Sequence, residues 1–529
     1  MDAPRGSFDY IIVGAGPSGC ACATRLAQAR PEASVLLLET GPAKSGIRSD
    51  VPLGIATLVP FRNARNYSYR TVPQAGLGGR RGVQPRGRGL GGSSLINAMI
   101  YIRGQREDYD DWARLGASGW AWGDVLPYFL RGEDNARGAD AWHAIGGPLA
   151  VSDLASPSDC ARAFVDAAVQ CGHPLNTDFN GASQEGAGLY QVFQRRGQRW
   201  NAARAYLATL APKNLTVLAD RPVARVLLED GRARGVACVD GSTYAARAEV
   251  VLSAGAFGTP QLLMLSGIGP AGHLRELGIP VLRDSPGVGA NLQDHVDFVI
   301  SRRVNDHGLF GTVPSIVPQV LRAIAPFRRG TGLLTSNVAE AGGFLRTRPD
   351  LDRPDVQMHL CIGIVDNHSR RLHATRGMSL HTCVLRPHSR GSVRLASADA
   401  RRAPQIDPAF LSDGRDVETL LAGTALARRI LAAPAFARYA GPALYDAETD
   451  DEARLREIVR AHADTIYHPV GTCRIGSDDD AVVDPELRVR GVAGLRVADA
   501  SIMPTLISGN TQAACAMIGE RAAAFIARG

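Results

Sequence analysis

The N-terminal stretch FDYIIVGAGPSGCACATRLAQARPEASVLLLET (8–40) constrains the fold more than any other part of the chain. Residues 10–13 are a short, continuous apolar run, the pattern of a parallel strand buried on both faces. Gly14, Gly16 and Gly19 follow as G-x-G-x-x-G, then small helix-compatible residues over 18–29, then a second apolar run at 35–38 that ends in Glu39. Each part has a physical role. Gly14 permits a tight turn, Gly16 lets a pyrophosphate approach the backbone, and Gly19 lets helix and strand pack closely. The helix N-terminus favours anionic phosphates. Glu39 stands where a carboxylate can accept hydrogen bonds from a ribose diol. Together these features predict a dinucleotide-binding βαβ unit, although the motif alone does not separate FAD from NAD.

At 529 residues the chain exceeds one simple core, and a prior of roughly 100–200 residues per domain predicts two to four units. The 45% hydrophobic and 21% charged fractions are those of a globular protein. A net charge of +7 is modest at this length, with arginines scattered, so nucleic acid is not an expected partner. Nine cysteines without a C-x-x-C pair predict neither a disulfide framework nor a metal site, and point to a reducing compartment. No signal peptide is visible, and no apolar run reaches membrane-spanning length. The expected location is cytoplasmic. The stretch VPSIVPQVLRAIAPFRR (313–329) leaves a peripheral contact with the inner face of the membrane open, although a lid or core segment is the simpler reading.

A second glycine-dense run, GLGGRRGVQPRGRGLGGSSLINAMIYIRG (76–104), predicts an ordered segment covering a ligand. Asp230-Gly231 and Asp240-Gly241 punctuate strand-like runs at 222–229, 233–239 and 243–252, a meander. Residues 249–269 again run strand, small-residue turn, helix, so the nucleotide core is revisited after an insertion. The stretches 355–363 and 377–387 read as strands and 416–440 as helix, which predicts an antiparallel second unit. Residues 511–527 read as a helix with Glu520 and Arg521 facing outward.

The stretches GRGLGGSSLINAMIYIRG, GAFGTPQLLMLSGIGP, PGVGANLQDH, HPVGTCRIG and VADASIMPTLISGNTQAA occur in this order after the N-terminal glycines. In this set the chain resembles the glucose–methanol–choline (GMC) oxidoreductases over nearly its whole length, with YIRGQREDYDDWARLG and RPHSRGSVRLASAD closest to the choline-dehydrogenase-like branch of bacterial alcohol dehydrogenases. The resemblance implies an α/β fold: a Rossmann-like FAD-binding domain (1–160, 220–300 and 461–529) and an α+β substrate domain on an antiparallel sheet (161–219 and 301–460). It implies non-covalently bound FAD, because Ile96 stands where some members attach the cofactor through histidine. His468 takes the position of the family's catalytic histidine, and Asn510 that of its second active-site residue. The chemistry needs such a base: an alcohol carbon gives up hydride to flavin N5 as its O–H proton leaves, and imidazole suits neutral pH.

The implied cofactor contacts are Gly14, Gly16, Pro17, Gly19, Glu39, Gly91, Ser94, Asn97, Ala98, Met99, Ile100, Val223, Asp499, Ala500, Thr511 and Gln512. Asn510 also reads as a cap for the helix that follows, and that helix's N-terminus would favour anionic reduced flavin. The implied reaction is oxidation of a primary alcohol to an aldehyde, with electrons passing to a quinone-like acceptor. An oxidase of the same family that passes them to O2 and makes hydrogen peroxide is the alternative. A non-catalytic flavoprotein is the remote one.

Overall fold

The computed structural model describes residues 5–528. Strand β1 (Ser7–Val13), helix α1 (Pro17–Ala29) and strand β2 (Val35–Leu38) form the expected βαβ unit. β1 and β2 pair in parallel, from Tyr10 opposite Val35 to Val13 opposite Leu38. Leu215–Leu218 adds in parallel beyond β2, and Thr243–Leu252 beyond β1. Leu495–Val497 then pairs in parallel with the last turn of Thr243–Leu252, within a seven-stranded sheet. The meander also forms. Val223–Glu229 turns at Asp230-Gly231 into antiparallel Arg232–Cys238. Both turn residues have positive φ, 48° and 71°, which a two-residue hairpin turn of this type requires.

The C-terminal helix Gln512–Arg528 packs along α1 through small residues; a Cβ on Gly519 would lie 2.2 Å from the Ser18 carbonyl oxygen. Here one expectation fails. Glu520 and Arg521, expected to face outward, are buried, because helix Trp122–Gly132 covers that face. Glu520 takes Arg25 at 2.9 Å and Arg131 at 2.6 Å, while the Arg521 guanidinium lies 4.8 Å from the Trp120 ring centre. Helical periodicity shows where charges lie on a helix, but not whether distant segments supply partners for them.

The second sheet has six strands, antiparallel throughout, in the order Asp464–Thr465, Val296–Arg303, Gly377–Val384, Val356–Cys361, Ala339–Leu345, Gly186–Leu189. The side-chain period of two sorts its faces. Met358, Leu360 and Leu380 enter a core with Leu420 and Ala427 of helix Gly414–Ala432, while His359, Cys361 and His381 face a cavity toward the nucleotide sheet.

Sheet membership shifts the expected domain edges. Leu215–Leu218 lies in the nucleotide sheet, whereas Val296–Arg303 and Asp464–Thr465 lie in the second sheet. Short apolar runs near a crossover fit either sheet by pattern, and only their pairing decides. All nine cysteines are free. No helix among the described residues is long and apolar enough to cross a membrane.

Candidate active site

A cavity of about 1250 Å³ lies between the two sheets, larger than the few hundred to 1,000 Å³ of most small-molecule sites and roomy enough for a dinucleotide with a small substrate. His468 and Asn510 both line it. They arrive from different elements: His468 from the segment after Asp464–Thr465, and Asn510 from the turn preceding the C-terminal helix. The Asn510 amide Nδ2 lies 3.2 Å from His468 Nε2, and Gln357 Nε2 donates to Asn510 Oδ1 at 3.0 Å. Gln357 therefore fixes the amide so that its N–H points at the imidazole.

The other edge of His468 is tied to a second histidine. His468 Nδ1 lies 2.9 Å from His295 Nδ1, and His295 Nε2 lies 3.0 Å from the Leu385 carbonyl oxygen. A carbonyl can only accept, so the proton of neutral His295 sits on Nε2 and its Nδ1 accepts. His468 Nδ1 must then be the donor, which leaves Nε2 as the unprotonated nitrogen facing Asn510 and the cavity. The network selects the tautomer of a base.

Burial sets the protonation state. Desolvation, with repulsion from His295, His359 and Arg86 added, holds His468 well below the ordinary histidine value. Desolvation likewise pushes His295 down to about 4. The His468 imidazole is thus neutral at neutral pH. Its backbone is held too: His468 N–H donates to Asp294 Oδ1 at 2.8 Å, and Asp294 Oδ2 accepts from Thr465 Oγ1 and Gln84 Nε2. Tyr467, just before it, adopts φ 77°, a conformation costing a non-glycine residue about 1–3 kcal/mol. Hydrogen bonds from Tyr467 N–H to Thr465 Oγ1 (2.6 Å) and between Tyr467 Oη and His368 Nδ1 (2.8 Å) keep it there.

The remaining residues singled out in the sequence fall mostly on one side of the same cavity. Gly14, Gly16, Pro17, Glu39, Ser94, Asn97, Ala98, Met99, Ile100, Val223, Asp499, Ala500, Thr511 and Gln512 line it. Gly19 and Gly91 do not. A Cβ on Gly19 would lie 1.9 Å from the Gly14 carbonyl oxygen, so its role is close packing; a Cβ on Gly16 would meet nothing within 4 Å and faces open space. Gly91 N–H donates to the Ala15 carbonyl at 2.8 Å, which joins the second glycine run to the first.

Two acidic side chains that line the cavity also hold protein partners. Glu39 accepts backbone N–H bonds from Ala15 (3.0 Å), Gly41 (2.8 Å) and Gly89 (3.0 Å), organising the loops around the cradle. Asp499 accepts from Gly255 N–H and Thr259 Oγ1 at the start of helix Gly255–Leu265. Gln512 Oε1 accepts from Asn97 Nδ2, while its Nε2 is buried without a partner. An unpaired buried donor beside an open glycine cradle and two helix N-termini fits a dinucleotide with acceptor atoms on its ring.

Sequence reading missed His295, Gln357 and Arg199. Arg199 is fully buried, and its guanidinium holds the carbonyls of Ser49 (2.7 Å), Ser94 (3.2 Å) and Asn97 (2.7 Å), shaping the loop that lines the cavity. Only His295 carried a signal, as the last residue of PGVGANLQDH. His359 and His381 also line the cavity.

A mainly parallel nucleotide sheet joined to an antiparallel sheet, with a buried imidazole lining the cavity between them, fits the architecture of a dinucleotide-dependent oxidoreductase. The chain belongs to the GMC oxidoreductase family, whose N- and C-terminal domains match residues 8–297 and 387–519. Members of this family are FAD-dependent, and the chain is a flavin oxidoreductase of the class that acts on alcohols. It is 44% identical to an alcohol dehydrogenase [acceptor] of Pseudomonas putida, over 98% of this chain and 96% of that one. It is 42% identical to an oxygen-dependent choline dehydrogenase of Sinorhizobium fredii, over 98% and 95%. Among solved structures, pyridoxine 4-oxidase from Mesorbium loti superposes with a TM-score of 0.87 at 32% identity, covering 98% of both chains.

Proposed function

We propose that the chain binds FAD non-covalently and oxidises a primary alcohol to an aldehyde, with His468 as the base and a quinone-like compound as the electron acceptor. The observation that carries the reading is the fixed, neutral His468 with its bare Nε2 beside Asn510. Bound FAD would supply the hydride acceptor. Gly14, Gly16 and Pro17 would hold its pyrophosphate, Glu39 would shape the adenosine end, and Asn97, Thr511 and Gln512 would meet its ring. Ile96, in the place of a covalent anchor, offers no nucleophile.

An alcohol oxygen placed against His468 Nε2 and Asn510 Nδ2 would lose its proton to the imidazole while the amide holds the oxygen. The positive charge so created is costly in a buried site, which favours prompt release of the proton. Reaction with O2 profits from positive charge near the flavin to stabilise superoxide, and the proton that His468 takes could supply that charge; the quinone-like acceptor is favoured instead by the 44% identical alcohol dehydrogenase [acceptor]. The oxygen-dependent relative and the oxidase neighbour favour the alternative. The test is to reduce the holoenzyme anaerobically with alcohol, then mix it with a soluble quinone or with air-saturated buffer. Reoxidation by quinone should match turnover. Air reoxidation at the turnover rate with stoichiometric peroxide would make the chain an alcohol oxidase.

A further inference from the structure

Three stretches meet at one opening of the cavity, and none contains a carboxylate: residues 51–106, 307–339 and 367–398 have no Asp or Glu. Arg62, Arg70, Arg371 and Leu372 are exposed and also line the cavity, which places one of its openings among them. The three stretches are knit together. Thr312 Oγ1 donates to the His373 carbonyl, and the Arg370 guanidinium lies over the Phe61 ring at 5.4 Å.

The helix Ile316–Arg328 follows Phe310, Gly311 and Thr312, which line the cavity, and its Gln319 accepts from Arg376. Its inner face packs Val320, Ala323 and Phe327 on Leu53 and Leu334. Its outer face is apolar as well: Val317 and Leu321 are each 61% exposed and Ile324 is 40% exposed. These three positions stand at i, i+4 and i+7, one line along the helix. On the other two stretches, Phe61 is 56% and Leu372 67% exposed. Five exposed large apolar side chains on the three stretches that meet near this opening are not ordinary scatter on a protein surface.

The charges beside them are of one sign. Arg62, Arg70, Arg322, Arg328, Arg329 and Arg370 make no ion pair among the described residues. Apolar side chains set among unpaired cations are the composition of a surface that rests on anionic lipid, with the apolar groups entering the acyl boundary and the arginines meeting headgroups. A soluble acidic protein would satisfy the arginines but would leave no reason for an exposed Val317–Leu321–Ile324 line.

We propose that this face docks on an anionic bilayer surface, so that the cavity opens toward the lipid and takes apolar alcohols or a lipid-dissolved electron acceptor from it. The proposal does not depend on which acceptor is used, because lipid binding is read without turnover.

The test is flotation of the full-length holoenzyme with vesicles of phosphatidylcholine alone or with 30% phosphatidylglycerol, the latter a chosen composition of about that fraction. Binding is expected to the anionic vesicles only and to be released by salt. Removing one arginine near the surface should lower partition about fivefold, the equivalent of ~1 kcal/mol, and the triple variant R322Q/R328Q/R329Q about 100-fold. Leu321→Asp should also abolish flotation while FAD absorbance and oxidation of a short, water-soluble alcohol stay unchanged. If that variant does not fold, the arginine variant and the salt series still decide. No binding to anionic vesicles at low salt would overturn the proposal. So would flotation indifferent to both variants, or a dimer in solution that Leu321→Asp splits, which would assign the face to a second copy of the chain.

Discussion

His468 Nδ1 and His295 Nδ1 face each other at 2.9 Å, and only one of them can carry a proton in that contact. The Leu385 carbonyl at the far side of His295 settles which. His295→Leu should therefore release His468 to protonate Nε2, the nitrogen the reaction needs bare. Flavin reduction by alcohol is expected to fall about 10–100-fold, the worth of one misplaced hydrogen bond of ~1.5–3 kcal/mol. His295→Asn, whose Oδ1 can accept in place of Nδ1, should restore most of the rate. Equal losses in both variants would reduce His295 to a packing role.

His468→Ala should keep its FAD and lose roughly 10²–10⁴-fold in the rate of flavin reduction, the usual contribution of a positioned base. Rapid-mixing absorbance under anaerobic conditions reads this directly. A variant reduced at the normal rate would place the base elsewhere.

The pH profile should show the burial of His468. Its folded value lies well below 6.5 because desolvation disfavours the charged imidazole. The active neutral form is thus present at and above pH 6.5 and is lost only as pH falls through the depressed folded value. The acid limb of kcat/KM should lie clearly below pH 6.5, with a flat region from about 6.5 to 8 for a histidine so shifted. A limb centred at 6.5 or above would contradict the network described here.

Glu39→Ala should weaken FAD retention more than it affects the chemistry of the holoenzyme that remains. It leaves three N–H groups, those of Ala15, Gly41 and Gly89, without their acceptor, each costing ~1–3 kcal/mol if no water replaces it. Flavin content after gel filtration and the melting temperature should both drop. In the unaltered enzyme acid precipitation should release all flavin to the supernatant. Colour left in the pellet would mean a covalent link despite Ile96.

Choline should be a poor substrate. The only acidic residues lining the cavity, among those described, are Glu39 and Asp499, and both are occupied by backbone donors. Asp297, behind the wall, is paired with His381 at 2.6 Å; although burial works against it, that carboxylate holds His381 protonated, well above the ordinary value. A quaternary ammonium would find no free counter-charge. Against 3,3-dimethylbutan-1-ol, its neutral isostere, choline should show kcat/KM lower by about 100-fold, matching ~2.7 kcal/mol for an unpaired, partly desolvated cation. Comparable values for the two alcohols would refute this.

The chain's local patterns were enough to specify the βαβ unit and the two-residue turn at Asp230-Gly231, because each depends on neighbouring residues, glycines where φ must be positive and apolar runs of strand length, whereas His468 and Asn510 were singled out by family resemblance. Tertiary structure decided what those patterns do not contain. Short strands such as Leu215–Leu218 and Asp464–Thr465 could enter either sheet, and hydrogen-bond pairing alone assigned them. Glu520 is buried because Arg25 and Arg131, hundreds of residues from it in sequence, come to meet it. The tautomer of His468 depends on His295, 173 residues earlier, and on a carbonyl at Leu385. Periodicity and turn chemistry act over a few residues, whereas protonation and partner choice are set by whatever folding brings within about 3 Å, the reach of a hydrogen bond.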